Sequence, residues 1–172
     1  MNYKDNKSIM KKMNYLLIVL LSIFSCNTEV PTQFSQDALN DTFITLQGES
    51  LAFKDILEAH KGKTIVIDIW ASWCGDCIKG LPKVKLLQKD YKDAVFVFLS
   101  LDRGQDTWKR GVKKYDVKGD HYFMQSGWKG AFGNFVNLNW IPRYMVINKQ
   151  GNIELFKAVK ADNHKLIEAL KK

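Results

Sequence analysis

The feature that most constrains this chain is a buried strand that leads directly into a pair of cysteines. Residues 64–70 form a near-continuous β-branched run, TIVIDIW, of the kind that is buried on both faces of a sheet. Two cysteines follow it, and residues 75–91 then repeat apolar side chains at spacings of three and four, which predicts a helix with one buried stripe. A second buried strand at 94–101 and a second amphipathic helix at 106–115 continue the alternation. This order predicts an α/β sheet with at least one parallel strand pair.

The rest of the chain adds shorter elements around this unit. Residues 43–53 and 143–156 each predict a β-hairpin, because two apolar runs flank a short segment that contains glycine. Weaker patterns predict a short strand near 121–124 and a short helix near 131–138. Asn163 is a suitable N-cap for a closing helix.

Length and composition exclude several classes of protein. With 172 residues, 46% apolar and 26% charged, the chain can bury one globular core. This balance excludes collagen-like, coiled-coil and intrinsically disordered chains. The formal net charge is +8, but the basic residues are scattered and no more than two are adjacent, so no nucleic-acid-binding groove is expected.

The N-terminus has the organisation of a secretory signal. Several lysines precede an apolar stretch from Tyr15 to Phe24, and the small residue Ser25 stands immediately before Cys26. A stretch of this length spans only about 15 Å as a helix, whereas about 20 residues are needed to cross a bilayer. It is therefore too short to be a transmembrane helix.

The segment Ile23–Cys26 resembles a bacterial lipobox, in which cleavage before the cysteine exposes a thiol that carries lipid. The resemblance implies removal of residues 1–25 and lipidation of Cys26. The polar residues that follow contain Pro31 and show no apolar period, so a tether is expected over 26–41, ahead of a folded domain over 42–172. Dual acylation is sufficient for stable attachment, which would hold the protein on the periplasmic side of a bacterial membrane. An uncleaved anchor and an ordinary signal peptide with a spare cysteine are the alternatives.

Cys74 and Cys77 are the strongest candidates for chemistry. Two cysteines at this spacing in the first turn of a helix are neighbours, close enough to form a disulfide without moving the backbone. Cys74 is expected where the strand passes into the helix, where free amide groups and the helix dipole favour a thiolate, the species that attacks disulfides. Cys77, one turn deeper, is suited to resolving the mixed disulfide.

Other uses of a Cys-x-x-Cys spacing are weighed against this one. The spacing is also half of many zinc sites, but zinc needs two further ligands, and His60, His121 and His164 are far apart. Haem attachment is excluded because Ile78 stands where that motif requires histidine. A purely structural disulfide remains an alternative. The three histidines are expected to lie in solvent.

Two separated segments of this chain resemble one family. Residues 66–77 resemble the active-site segment of thioredoxins, and Pro82 matches the helix-kinking proline of that family. Ile141–Arg143, before the final hairpin, resembles the family's cis-proline loop. With the N-terminal hairpin, an insertion over 102–140 and the lipobox, the chain is similar to extracytoplasmic thioredoxin-like proteins of the TlpA and ResA type. The resemblance covers 42–172 and implies a thioredoxin-like α/β fold with a central mixed sheet flanked by helices.

The resemblance also implies roles for further residues. Asp68 lies in an apolar strand, where burial raises the pKa of a carboxyl and allows proton exchange with Cys77; an Asp at a strand edge that reaches water is the alternative. A cis Pro142 would turn the Ile141 backbone towards the thiols, where it could pair with an extended substrate strand; a trans edge proline is the alternative. Trp73 is expected to contact the substrate. The other aromatic residues considered for a substrate groove are expected mainly in the core: Trp70, Trp128, Phe132, Phe135 and Trp140.

The implied function is reduction of protein disulfides by a membrane-anchored thiol-disulfide oxidoreductase. Asp76, between the cysteines, disfavours a second negative charge and stabilises the disulfide, which favours a reductant over an oxidant. The oxidised enzyme would need an electron donor, implied to be a membrane-embedded thiol transporter. No cofactor or metal is required, because the two thiols carry both electrons. A disulfide oxidase or isomerase and a non-catalytic binding lipoprotein with a structural disulfide are the alternatives.

Overall fold

Seven strands form one mixed sheet in residues 30–172, the part of the chain that the computed structural model describes. The strands are β1 (Thr42–Thr45), β2 (Ser50–Ala52), β3 (Ile65–Trp70), β4 (Val95–Ser100), β5 (Asp120–Phe123), β6 (Arg143–Ile147) and β7 (Ile153–Ala158). The helices are α1 (Gln36–Asn40), α2 (Phe53–Ala59), α3 (Gly75–Asp90), α4 (Gln105–Tyr115), α5 (Ala131–Phe135) and α6 (His164–Leu170), with a 3₁₀ turn at Gly127–Lys129. The strand order is β2-β1-β5-β4-β3-β6-β7, and helices flank the sheet. Across these described residues, no helix has both the length and the apolar character needed to cross a membrane.

The centre of the sheet is the parallel pair of β3 and β4. Every residue of β3 is buried, which is the reason for its β-branched composition. On the other side, β6 runs antiparallel to β3 and pairs Ile69 with Arg143. The start of β6 therefore lies beside the end of β3. This register brings the segment before Arg143 to the point where β3 passes into α3.

The two predicted hairpins are present and flank this centre. β1 pairs with β2, and β6 pairs with β7, both antiparallel. Gly48 and Gly151 lie in the connecting turns with φ of 94° and 84°, a backbone conformation that glycine adopts without steric cost. The closing helix α6 begins as predicted, with the Asn163 side chain accepting the backbone N–H of Lys165 at 2.9 Å.

The insertion over 102–140 supplies both a strand and short helices. β5 runs parallel to β4 and antiparallel to β1, so it joins the N-terminal hairpin to the rest of the sheet. The predicted short strand near 121–124 and the predicted helix near 131–138 are present, although α5 ends earlier, at Phe135. Asn137 has a positive φ of 46°, which a continuing α-helix does not allow.

The prediction of a tether over 26–41 is wrong from Pro31 onward. Residues from Pro31 onward belong to the same contact unit as the rest of the domain, and Phe34 and Ala38 are buried. The Phe34 ring lies 4.9 Å from the Phe53 ring and 5.3 Å from the Phe135 ring. Burying one such side chain contributes about 2 kcal/mol towards the entropy cost of ordering this segment. Residues 26–29, with Cys26, lie outside the described residues, as does the proposed signal over 1–25.

The expectation that all three histidines lie in solvent is wrong for His121. Its ring is buried, stacks on Phe98 at 5.0 Å, and places Nε2 2.9 Å from the carbonyl oxygen of Val117. Burial lowers the pKa of His121. His60 is half-buried beside Asp120, at 3.0 Å, and only His164 is exposed. His121 is a core residue with one satisfied ring nitrogen.

Candidate active site

Cys74 is the N-cap residue of α3 and forms a disulfide with Cys77. The two Cα atoms are 5.2 Å apart, and the backbone N–H of Cys77 donates to Cys74 Sγ at 3.1 Å. Both side chains are nearly buried, Cys74 being 6% exposed. Because the unpaired N–H groups and the positive end of the helix dipole meet at this position, they stabilise negative charge on the Cys74 sulfur when the disulfide opens. The placement predicted for both cysteines is the one observed.

A loop with a cis peptide bond lies against the disulfide. The Ile141–Pro142 bond is cis, as the resemblance implied, and the carbonyl oxygen of Ile141 lies 3.7 Å from Cys74 Sγ. The antiparallel register of β3 and β6 produces this proximity, since it aligns the end of one strand with the start of the other. An extended chain laid beside residue 141 would therefore pass next to the Cys74 sulfur.

An aromatic groove, lined by Trp73, Trp128, Trp140 and Ile141, opens beside Cys74. Its volume is about 360 Å³. Trp73 and Trp140 are 53% and 56% exposed, which is unusual for side chains of that size. The sequence analysis placed Trp128 and Trp140 mainly in the core. The structure differs for Trp140, which is exposed, whereas Trp128 is partly buried against the core and also lines the groove. Their position follows from the insertion and from the segment before the cis bond, which fold back towards α3.

The other aromatic residues considered from the sequence do not line this groove. Trp70 and Phe132 are fully buried in the core, as expected, and Phe135 is partly buried against it. The groove therefore takes one tryptophan from the loop before Cys74, one from the insertion and one from the segment before Pro142.

Asp68 is buried in the middle of β3, beneath the helix that carries Cys77. It pairs directly with Tyr144 of β6, so the two side chains project from the same face of the sheet. The Tyr144 hydroxyl lies against α3, because a Cβ atom added to Gly80 would be 3.1 Å from it. Gly80 follows Cys77 by one helical turn. Asp68 thus lies on the α3 side of the sheet, on the strand that leads to the disulfide.

The environment of Asp68 penalises its charged form. Burial raises the pKa of Asp68 to about 8. Its Oδ1 atom has no hydrogen-bond partner among residues 30–172. Burial also raises the pKa of Tyr144, and the nearby Asp68 adds to this effect. A carboxyl in such surroundings holds a proton at neutral pH and can release it near pH 8.

Arg143 is a residue that the sequence analysis named only as part of the cis-proline motif. It is fully buried, and its guanidinium donates to the carbonyl oxygen of Val136 at 2.7 Å and to Asn139 Oδ1 at 3.2 Å. Burial lowers the pKa of this guanidinium. Arg143 thereby ties the start of β6 to the end of the insertion, and it fixes the segment that carries Trp140. In the sequence, the only signal for this role of Arg143 is its position next to Pro142.

Among residues 30–172 there is no cluster of three or more His, Cys, Asp and Glu side chains arranged to hold a metal ion. Cys74 and Cys77 are instead bonded to each other.

Comparisons with known proteins agree with this geometry. A family model described as thioredoxin-like matches residues 62–153, more than half of the chain. The chain is 27% identical over 160 residues to the thiol-disulfide oxidoreductase ResA of Bacillus cereus, a match that covers 84% of this chain and 87% of that protein. It is also 32% identical over 93 residues to the thioredoxin-like protein YneN of Bacillus subtilis, of which it spans about half, 52%.

Solved structures show the same fold. A solution structure of a Bacteroides vulgatus protein assigned as a thiol-disulfide oxidoreductase is 29% identical, with a TM-score of 0.63 over 86% of this chain and 91% of that one. The crystal structure of a thioredoxin domain from another Bacteroides vulgatus thiol-disulfide oxidoreductase has a TM-score of 0.65 at 20% identity, over 83% of this chain and 97% of that one. The predictions of a thioredoxin-like fold and of a thiol-disulfide oxidoreductase are confirmed. The chain belongs to the thioredoxin-like family.

Proposed function

We propose that this thiol-disulfide oxidoreductase reduces protein disulfides outside the cytoplasm, with Cys74 as its nucleophile. The observation that carries the proposal is the position of the Cys74 sulfur. It caps the N-terminus of α3, it lies beside the Ile141 carbonyl, and it forms part of the wall of the aromatic groove. One sulfur is thus next to a charge-stabilising helix end, a resolving thiol and a surface on which a peptide can lie.

The reaction begins with the reduced enzyme. The Cys74 thiolate attacks one sulfur of a substrate disulfide, which forms a mixed disulfide and releases one substrate thiolate. Cys77 then attacks the Cys74 sulfur, which releases the second substrate thiol and forms the Cys74–Cys77 disulfide. Two electrons and two protons pass from the enzyme to the substrate. The oxidised enzyme must therefore be restored by a dithiol donor, for which we propose a membrane thiol transporter.

Asp68 is proposed to accept the proton of Cys77 in the second step. Its side chain is buried on the face of the sheet that α3 covers, and its Oδ1 atom has no partner in the described part of the chain. A carboxyl with a pKa near 8 exchanges protons readily with a thiol, whose ordinary pKa is about 8.5. The proton then passes to the leaving thiolate of the substrate.

The substrate class best matched by the groove is an extended peptide with an apolar side chain near its cysteine. Trp73, Trp128 and Trp140 offer flat apolar surfaces, and the backbone of Ile141 offers hydrogen bonds to an extended chain. Such segments are exposed in proteins whose disulfides are not yet buried in a folded core.

Membrane attachment through lipidated Cys26 is part of this proposal. Its support is the lipobox-like segment before Cys26 together with the start of the folded unit at Pro31, only a few residues later. Intact mass of the natural protein provides the test. A chain that begins at Cys26 with added diacylglycerol and acyl mass is expected, and an unmodified chain would remove the anchor from the proposal.

An insulin-reduction assay with dithiothreitol as donor tests the activity. The Cys74→Ser variant is expected to lose turnover by at least about 10³-fold while keeping its fold, because no other described thiol caps a helix. Cys26→Ser is the matched control and is expected to keep full turnover. The Cys77→Ser variant is expected to accumulate a mixed disulfide, and the captured chain identifies the substrate. If the unmutated protein shows no turnover, the disulfide is structural and the proposal fails.

The direction of electron flow is tested by the reduction potential. We expect a value nearer the roughly −270 mV of thioredoxin than the roughly −120 mV of a strong oxidant. Equilibration with dithiothreitol, followed by quantification of free thiols, measures it. A value near the oxidising limit would assign the protein to disulfide oxidation or isomerisation instead.

A further inference from the structure

The loop that connects β3 to α3 is held by a carboxylate that the reaction above does not use. Asp102 lies just after β4 and is buried. Its carboxylate accepts the backbone N–H of Ser72 at 3.1 Å and the Ser72 hydroxyl at 2.6 Å. It also accepts the Ser100 hydroxyl at 2.9 Å, and the Ser100 oxygen in turn accepts the backbone N–H of Asp102 at 3.0 Å. Ser72 precedes the nucleophile Cys74 by two residues.

A second element holds Ser72 from the opposite direction. Gly111 lies in α4 and is buried, and a Cβ atom added to it would collide with the Ser72 side chain. No other residue type therefore fits at position 111 while Ser72 keeps its place. Ser72 is thus enclosed between the end of β4 and the middle of α4.

The rest of the loop is tied to the same strand ends. Leu101 donates its backbone N–H to the Trp70 carbonyl at 2.8 Å, and Cys74 donates its own to the Ala71 carbonyl at 3.0 Å. Between these two bonds, Asp102 supplies the only side-chain hydrogen bonds recorded for Ser72 among residues 30–172. Asp102 therefore holds the part of this loop that lies two residues before Cys74.

We propose that Asp102 is a positioning residue that holds Ser72, and through it Cys74, so that the thiolate forms at the N-terminus of α3. The inference rests on the proposed role of Cys74 as nucleophile. A helix terminus stabilises a thiolate only when the sulfur lies within its first turn, because the interaction falls off with distance. When Ser72 is released, Cys74 samples positions away from the N–H groups, and a smaller fraction of its thiol is ionised at pH 7.

The charge of Asp102 would act in the opposite direction. A carboxylate near a thiol disfavours a second negative charge, so removing the charge alone increases the thiolate fraction. Asp102→Asn removes the charge but keeps most of the hydrogen bonds. With its amide oxygen at the Oδ1 position, the side chain still accepts from the Ser72 hydroxyl and, at 3.3 Å, from the Ser72 backbone N–H. Its amide nitrogen, at the Oδ2 position, can donate to the Ser100 hydroxyl, and only the 3.1 Å bond from the Ser72 N–H is lost. Asp102→Ala removes both the charge and the hydrogen bonds. The two variants therefore separate positioning from electrostatics.

The experiment measures the rate of Cys74 alkylation by iodoacetamide in the reduced full-length protein, from pH 5 to 9, by peptide mass spectrometry. We expect Asp102→Ala to react about three- to tenfold more slowly than wild type at pH 7, with its pH profile displaced upward. Asp102→Asn is expected to react at the wild-type rate or slightly faster. Gly111→Ala, which displaces Ser72 from the other side, is expected to resemble Asp102→Ala.

Asn148→Ala is the matched control. Asn148 Oδ1 accepts the backbone N–H groups of Gln150 and Asn152 at 3.1 and 3.0 Å, so it holds a turn in the same way at the far end of β6. This variant is expected to lose stability without changing Cys74 reactivity. If Asp102→Asn and Asp102→Ala both accelerate alkylation equally, the effect is electrostatic and the proposal fails. It also fails if Asp102→Ala lowers the melting temperature but leaves the alkylation profile unchanged.

Two further outcomes keep the tests separate. If wild-type Cys74 reacts no faster than a free cysteine peptide, the proposed function fails before Asp102 is considered. If wild-type Cys74 is reactive and the Asp102 variants match it, only the positioning role is overturned. If Gly111→Ala does not fold, the alkylation rates of Asp102→Ala and Asp102→Asn alone test whether Asp102 positions Cys74.

Discussion

Asp68 and Asp102 are both buried, one inside β3 and one just after the neighbouring strand β4, yet their surroundings are opposite. Within residues 30–172, Oδ1 of Asp68 has no hydrogen-bond partner, whereas Asp102 accepts hydrogen bonds from both Ser72 and Ser100. A carboxylate with several donors is held in place and can hold a loop in turn, while an unpaired one is costly to charge and easy to protonate. Burial alone therefore does not determine what a carboxyl does, because its hydrogen-bond partners do.

The largest expected effect concerns stability at alkaline pH. Burial raises the pKa of Asp68 to about 8 from 3.8, so the folded protein binds a proton that the unfolded chain has already released between these pH values. The free energy of unfolding must then fall as pH rises from about 4 to 8. Asp68→Asn removes this titration, and by pH 9 its stability should exceed that of wild type by several kcal/mol more than at pH 4.

Urea unfolding of the oxidised protein at pH 4, 7 and 9 measures this difference. Asp102→Asn is the matched control for replacing a buried aspartate by asparagine, because it leaves Asp68 in place. In this variant the fall in the free energy of unfolding that is due to Asp68 should therefore remain. If the free energy of unfolding of Asp68→Asn changes with pH in the same way as that of wild type, water reaches the carboxyl of Asp68. The two aspartates would then not differ in the way described above.

The second effect is on turnover. If Asp68 accepts the proton of Cys77, the rate of mixed-disulfide resolution should increase as pH rises through about 8, because only the ionised carboxylate can accept it. Asp68→Asn should slow this step by about 10²-fold and remove that part of the pH dependence. Rapid-quench measurement of the mixed disulfide at pH 6 to 9 separates resolution from the initial attack. An unchanged pH profile in the variant would exclude Asp68 as the base.

The sequence predicts the elements that are specified locally. The β-branched run before Cys74, the apolar stripe of α3 and the glycine turns of the hairpins each depend on residues within a few positions of one another. The position of Cys74 between strand and helix is also specified locally. The β-branched run ends shortly before this residue, and the three- and four-residue spacing of the helix begins just after it. These features required no knowledge of tertiary contacts.

The features that sequence reasoning missed depend on distant contacts. Phe34 stands in a polar segment, and only its contact with Phe53 and Phe135 shows that residues 31–41 are part of the domain. His121 is buried because β5 lies beside β4, which a weak pattern could not specify. Asp102 follows a strand in the sequence as many solvated aspartates do, and its partner Ser72 is thirty residues away. The spacing of residues along the chain does not indicate which distant residues come into contact.

The third effect is a loss of stability when Asp102 is truncated. Asp102→Ala leaves the Ser72 N–H and hydroxyl groups without their acceptor, which should cost about 2 kcal/mol. The sign is opposite to that expected for Asp68→Asn at neutral pH. Thermal unfolding with Ser72→Ala as a partial variant measures it, since that variant loses only the hydroxyl bond and should lose about half as much. A stabilised Asp102→Ala variant would show that the two buried carboxyls are equivalent after all.

The smallest effect concerns Asp76, a third carboxyl near the disulfide that differs from the other two in being exposed. It lies between the cysteines in the first turn of α3, 3.7 Å from Lys79, and its side chain is 59% exposed. Its negative charge disfavours the thiolate and so stabilises the disulfide, but solvent and Lys79 screen it. Asp76→Asn should therefore raise the reduction potential by only about 10–20 mV, since 30 mV corresponds to a tenfold change in the equilibrium constant. Asp90→Asn, at the other end of the same helix, should leave the potential unchanged.

Because an exposed charge acts through solvent, the Asp76 effect should shrink further in 0.5 M salt, whereas the proton-linked effects of the buried Asp68 should persist. A salt-independent shift of the potential would mean that Asp76 acts through the conformation of the first helical turn and not through its charge.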